Sequence, residues 1–153
     1  MSIRVAINGF GRIGRAVLRI ILERPSSDLD VVAINDLADD DVLAYLLRHD
    51  TVMGALEHKV TLGEGVLTVG GHHIQMLREK DPGALPWGEL EVDVVVQSTG
   101  VFRDRASLEK HLAAGAGRVL LTVPAKDEID ATIVLGVNDA ELDASDRIVS
   151  NAS

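Results

Sequence analysis

Gly9-Phe10-Gly11-Arg12-Ile13-Gly14 follows directly on the apolar run Val5-Ala6-Ile7 and leads straight into a helical pattern. No other feature constrains the fold as much. A G-x-G-x-x-G string alone is a weak signal. Between a strand and a helix, and followed by a second strand that ends in an acid, it marks a dinucleotide-binding βαβ unit. Here the second run, Val31-Val32-Ala33-Ile34, stops at Asn35-Asp36, and Asp36 lies 22 residues beyond Gly14. Gly9, after Asn8, permits the tight turn. Gly11 lets a pyrophosphate approach the backbone, and Gly14 lets the helix pack closely. The N–H groups of Arg12 and Ile13 then face an anion at the positive end of the helix. Asp36 is expected to accept hydrogen bonds from the adenosine ribose. A 2′-phosphate would meet that carboxylate, and Leu37 offers no cation, so the expected cofactor is NAD rather than NADP.

The rest of the chain extends this frame. Ile13, Ala16, Val17, Ile20 and Ile21 recur at helical spacing and predict one buried face, with Arg12, Arg15 and Arg19 opposite. Pro25-Ser26-Ser27 ends this helix. Asp39-Asp40-Asp41 opens a second helix, where acids suit the dipole, with Val42, Leu43, Leu46 and Leu47 inward. Strand, helix, strand, helix predicts right-handed crossovers and a parallel sheet. Residues 56–77 read as extended, with turns at Gly63-Glu64-Gly65 and Gly70-Gly71. Residues 92–96 form an apolar strand ending at Ser98-Thr99-Gly100, and 104–114 a helix with Leu108 and Leu112 on one face. Strands are expected at 119–123, 132–135 and 147–149. The expected architecture is α/β: a Rossmann-like, doubly wound, mainly parallel sheet with an antiparallel insertion, one NAD-binding domain over residues 1–153.

Composition narrows the remaining functions. The 153 residues include no cysteine, which excludes a thiolate metal site or a cysteine nucleophile within them. A net charge of −9, with one Trp, one Tyr and two Phe, argues against nucleic-acid binding. No apolar run approaches the roughly 20 residues of a membrane helix. The N-terminus lacks a signal-peptide pattern, so a cytoplasmic setting is expected. His72 and His73, adjacent on a strand, point to opposite faces and predict no metal site. His49, His58 and His111 are read as surface or helix-end residues, Asp127, Glu128 and Asp130 as a solvated turn, Arg19 as solvent-facing, and Trp87 as packing.

The stretches Ala6-Ile7-Asn8-Gly9-Phe10-Gly11-Arg12-Ile13-Gly14-Arg15, Ala33-Ile34-Asn35-Asp36-Leu37, Leu46-Leu47-Arg48-His49-Asp50, Ser98-Thr99-Gly100-Val101-Phe102, Val123-Pro124-Ala125-Lys126, Gly136-Val137-Asn138 and Ile148-Val149-Ser150-Asn151-Ala152-Ser153 occur in order along the whole chain. Together they closely resemble the glyceraldehyde-3-phosphate dehydrogenases. The resemblance implies the NAD-binding domain of such an enzyme. Arg12, Ile13 and Asp36 would hold the pyrophosphate and adenosine ribose, within the loop of Asn8, Gly9, Gly11 and Gly14. Arg78 would contact the adenine end, and Thr99, Gly100 and Phe102 would flank the adenine and its ribose. Thr122 would lie near the nicotinamide ribose, and Ser153 at the edge of the substrate site, beside a catalytic cysteine that would come next. The family's histidine base, phosphate-binding arginine and nicotinamide-holding asparagine come from a second domain. The resemblance thus implies no catalytic residue here, and NAD binding without turnover. Glyceraldehyde 3-phosphate and inorganic phosphate would be partners only of the intact enzyme, a homotetramer in this family. Met53 departs from the family's usual histidine. The related erythrose-4-phosphate dehydrogenases share a stretch like Leu85-Pro86-Trp87 but tend to carry glutamate at the position of Asp36. A noncatalytic nucleotide-binding module is the alternative of another class.

Overall fold

The computed structural model describes residues 2–24 and 27–151. The helix end expected at Pro25-Ser26-Ser27 therefore lies partly outside the described residues, as does Ser153. The elements are β1 (Ile3–Asn8), α1 (Arg12–Glu23), β2 (Leu29–Asn35), α2 (Asp40–Arg48), β3 (His49–Asp50), β4 (Gly54–Ala55), β5 (Val60–Gly63), β6 (Val66–Val69), β7 (His72–Leu77), β8 (Val94–Gln97), α3 (Arg105–Ala113), β9 (Arg118–Leu121), β10 (Ala131–Thr132) and β11 (Ile148–Ser150). Nine strands make one sheet in the order β10-β11-β9-β8-β1-β2-β7-β6-β5, while β3 and β4 pair apart as a small antiparallel ribbon. Pairing is parallel from β10 through to β7. The expected insertion is the antiparallel meander β5-β6-β7, whose last strand joins β2 in parallel. Its turns, Glu64-Gly65 and Gly70-Gly71, have positive φ at both central residues, as two-residue hairpins on twisted strands require. Beside β5 lies α2, and the Arg48 guanidinium donates to the Val60 carbonyl at 2.9 Å.

The chain leaves β1 for β2 on one side, then returns to place β8 on the other. Winding therefore reverses between β1 and β8. In open α/β sheets this switch point is where ligands enter, beyond the carboxyl ends of the strands. One core, including Ile7, Leu18, Leu22, Leu43 and Leu47, packs with α1 and α2. Two others, around Trp87 and Val95 and around Leu108, Leu121 and Ile148, fill the remaining interior.

The buried face of α1 differs from the expected one. Gly14, Leu18, Arg19, Ile21 and Leu22 are buried, whereas Ile13 and Ile20 are 53% and 43% exposed. Two apolar ladders coexist on this helix, and close packing at Gly14 selects between them. A Cβ there would lie 2.3 Å from the Gly9 carbonyl oxygen, so this side of the helix is held against the β1 turn. Leu18 and Ile21 then follow at i+4 and i+7. Arg19, expected in solvent, is buried, and its guanidinium donates to the Leu47 carbonyl at 2.7 Å. That carbonyl lies in the last turn of α2, where helix carbonyls lack partners. In α2 itself Leu43, Ala44 and Leu47 are buried while Val42 is exposed.

Other strand boundaries shift by a few residues. The strand expected at 132–135 is cut to Ala131–Thr132. Asn138 ends it: its side chain accepts from the Val134 N–H (2.6 Å) and donates to the Thr132 carbonyl (2.9 Å). The turn leaves Leu135 and Val137 each 79% exposed. Asp130 is no solvated turn residue. Its carboxylate accepts from the Arg147 and Ile148 N–H groups and from Arg105, at 2.7, 3.0 and 2.7 Å. The Arg147 N–H, with the Arg105 guanidinium, holds that carboxyl below the usual range. Asp127 similarly accepts from the Arg105 N–H.

Candidate nucleotide-binding cleft

A cleft of about 350 Å³ opens at the switch point. Asn8, Gly9 and Gly11 line it from the β1 turn, Asn35, Asp36 and Leu37 from β2, and Glu79 and Lys80 from beyond β7. Ser98, Thr99, Val101 and Phe102 line it from beyond β8. Four strand ends thus converge on one space.

The three glycines do different things. Gly9 has φ +96°, and a Cβ there would lie 2.6 Å from the Thr99 nitrogen. Its bareness lets the β1 turn pass directly over the end of β8. Ser98 ties the crossing, its hydroxyl donating to the Gly9 carbonyl at 2.6 Å. Gly14 is bare against the same turn. At Gly11, by contrast, a Cβ would meet no atom within 4 Å. The residue next to the helix is bare toward open space, which fits a ligand that approaches the backbone there. Gly11 is the N-cap of α1, without a side-chain cap. The helix start is closed by the Arg15 N–H, which donates to the Gly11 carbonyl at 2.9 Å. Among the described residues no acceptor takes the N–H groups of Arg12 and Ile13, both exposed. Unpaired N–H groups with the helix dipole behind them favour an anion.

Asp36 is firmly held. One carboxylate oxygen accepts from the Phe10 N–H at 2.8 Å and the other from the Ala38 N–H at 2.9 Å. Each oxygen keeps a further lone pair. The carboxylate therefore fastens the glycine loop to β2 while it faces the cleft.

The structure brings Asn8, Gly9, Gly11, Asp36, Thr99 and Phe102 together on the cleft wall. Arg12, Ile13, Gly14, Gly100, Thr122 and Arg78 are not among the lining residues. The Arg78 guanidinium instead meets Asp39 at 3.2 Å and Asp40 at 3.8 Å, at the start of α2. The Thr122 hydroxyl donates to the Gln97 carbonyl at 3.2 Å. Asn35, Leu37, Glu79, Lys80, Ser98 and Val101 also line the cleft, beyond the residues that the sequence marks as site residues. Sheet order alone places Glu79 and Lys80 beside Asp36, because β7 pairs in parallel with β2.

His111 also departs from expectation. It is fully buried, accepts from the Trp87 indole N–H at 3.0 Å and bonds Gln97 at 2.7 Å; burial pushes its pKa down to about 4. His72 meets Asp30 at 2.9 Å, and no group of three or more metal-ligating side chains occurs among the described residues. Among those residues no helix is long and apolar enough to cross a membrane.

Fold and cleft define a Rossmann-type dinucleotide-binding domain. Residues 3–105 match the family model described as "Glyceraldehyde 3-phosphate dehydrogenase, NAD binding domain", and the chain belongs to that family. It is 51% identical to the glyceraldehyde-3-phosphate dehydrogenase of Streptomyces coelicolor, with all of this chain and 45% of that protein covered. With the Mycobacterium avium protein of the same name it is 50% identical, over all of this chain and 46% of the relative. With that of Thermotoga maritima it is 53% identical, over 98% of this chain and 45% of the relative. The chain thus spans less than half the length of these curated relatives.

Proposed function

We propose that this chain holds NAD across the cleft as the cofactor-binding part of a phosphorylating glyceraldehyde-3-phosphate dehydrogenase. The observation that carries the reading is the pairing of a bare Gly11, open to the cleft, with an Asp36 carboxylate fixed beside the same loop. Such a pair suits a pyrophosphate over the loop and the adjoining ribose diol on the carboxylate. When bound, NAD supplies the hydride acceptor. Arg12 and Ile13 offer N–H groups to the pyrophosphate, and Asp36 accepts from the ribose hydroxyls. Phe102 flanks the adenosine, while Thr122 and Ser153 belong to the nicotinamide and substrate side. Arg78 reaches the adenine end by exchanging its aspartate partners for the base. The nucleophilic thiolate, the histidine base and the phosphate-binding arginine come from outside these residues, so this chain alone binds without turnover. Glyceraldehyde 3-phosphate and inorganic phosphate are the proposed substrates of the whole enzyme, a cytoplasmic homotetramer.

Calorimetry with NAD, NADP and ADP-ribose tests the reading. NAD is expected to bind at least tenfold more tightly than NADP. Tighter binding of NADP would overturn the role given to Asp36. Lys80 lines the same cleft, so Asp36→Ala is expected to weaken NAD and strengthen NADP, bringing the two within about tenfold. Gly11→Ala separates binding from folding. Its Cβ enters open space at φ −79°, so the loss of stability is expected to stay near 1 kcal/mol, about that of a poorer N-cap. ADP-ribose affinity is expected to fall tenfold or more, read by calorimetry beside a urea melt. Unchanged affinity would remove the pyrophosphate from this loop.

A further inference from the structure

The cleft floor continues into a chain of polar side chains that ends at a buried histidine. At its far end the Trp87 indole N–H donates to His111 Nδ1. An indole can only donate, so the ring proton sits on His111 Nε2, which donates to Gln97 Oε1 at 2.7 Å. Asn8 Nδ2 donates to that same oxygen at 2.7 Å, and Gln97 Nε2 donates to Thr99 Oγ1 at 2.6 Å. At the near end the Glu79 main-chain N–H donates to Asn35 Oδ1, and Asn35 Nδ2 donates to Asn8 Oδ1, both at 2.8 Å. A main-chain N–H also can only donate. Polarity is therefore fixed at both ends, and the amides of Asn35, Asn8 and Gln97 have one consistent orientation between them. Thr99 Oγ1 accepts a second bond, from the Val101 N–H at 3.1 Å. Its lone pairs are then filled, and its own proton remains to be donated.

We propose that His111 is a positioning residue for the cleft: donating to Gln97 beside Asn8, it locks that amide, and so makes the Thr99 hydroxyl a donor toward an acceptor atom of the nucleotide, such as a ribose oxygen. The proposal rests on the nucleotide reading above. Without His111, Gln97 Oε1 keeps only the Asn8 donor, so turning the amide costs one hydrogen bond fewer and the Thr99 proton can more readily be drawn inward. A purely structural His111 would alter stability but not the affinity of the folded chain.

The test is a double-mutant cycle read by ADP-ribose calorimetry on the full chain and on variants shown to be folded by circular dichroism. His111→Phe and Thr99→Val are each expected to weaken binding by about five- to tenfold, the worth of one hydrogen bond. The double variant is expected to be no weaker than either single one, because His111 acts through Thr99. His111→Gln keeps a donor and an acceptor on a planar group and is expected to recover most of the affinity. Should His111→Phe fail to fold, Gln97→Met removes the same link, and its cycle with Thr99→Val carries the same expectation. Native affinity in either folded variant, or losses that add in the double variant, would overturn the proposal while leaving the nucleotide reading intact. Absence of binding by the unaltered chain would overturn both.

Discussion

Gly14→Ala is expected to remove most of the chain's stability, although it adds a single methyl group to a helix. The new Cβ would sit 2.3 Å from the Gly9 carbonyl oxygen and 3.0 Å from the Ile7 side chain. The first contact is with main chain, which cannot swing aside as a flexible side chain can. Relief requires α1 to lift from β1, which loosens the packing of Leu18, Ile21 and Leu22 and pulls on the Phe10 N–H bond to Asp36. Overpacking usually costs about 1–3 kcal/mol, and a backbone clash with loss of helix docking belongs at or above that range. Gly9→Ala should be at least as damaging, since a Cβ 2.6 Å from the Thr99 nitrogen is joined by a φ of +96°. Urea melts check both: midpoints far below that of the unaltered chain, or no folded baseline, are expected. A near-native midpoint for Gly14→Ala would contradict the close packing that sets the rotation of α1. The contrast with Gly11→Ala is informative, because the three glycines of one motif then separate into two that are needed to fold and one that is needed to bind.

The second large effect concerns pH. His111 is buried among Trp87 and Gln97, and burial lowers its pKa from 6.5 to about 4. The unfolded chain therefore takes up a proton near pH 6.5 while the folded chain refuses it until about pH 4. Wherever the unfolded state binds more protons, stability falls as pH falls. The contribution is fully present above pH 6.5 and is lost on acidification from there to about pH 4, amounting to about 3 kcal/mol. Carboxylates act lower. Asp104, held down by the Ser107 hydroxyl, and Asp130, held down by the Arg147 N–H, lose their share only once pH falls below the ordinary carboxylate range. Urea midpoints measured from pH 7.5 to 4.5 should slope downward with acid, and His111→Gln should flatten that slope. An equal slope in the variant would show that other groups govern this window.

Much of the site was legible because its chemistry is local in the chain. The glycine loop, the strand before it and Asp36 after the next strand form one unit of sequence, and their spacing carries their geometry. The α/β class and the inserted hairpins were legible for the same reason: alternation, helical spacing and Gly-Gly turns are short-range signals. What escaped was decided at long range. Ile13 and Ile20 have a legitimate helical period, but the contact of Gly14 with the Gly9 turn rotates that ladder outward. Arg19 reads as solvent-facing until α2 brings the Leu47 carbonyl to it. Asp130 reads as a turn acid until β11 delivers two N–H groups. His111 has no local mark of burial. Its partners are Trp87, 24 positions before it, and Gln97, 14 positions before it. Glu79 and Lys80 reach the cleft only because β7 pairs with β2, a choice that no local pattern dictates.

An open sheet has two rims, and each is a template on which a strand from another molecule can grow. At one rim the terminal strand, β10, is only two residues long and offers little to copy. At the other, β5 is longer and would be the hazard. Gly63 and Val66 close a two-residue turn as a hydrogen-bonded pair, so alternation leaves Val60 opposite Val69 in a non-bonded pair, its carbonyl directed outward. That carbonyl is the one the Arg48 guanidinium occupies. A charged side chain from α2 thus fills one docking point for an incoming N–H, on the rim where strand addition between molecules would otherwise begin.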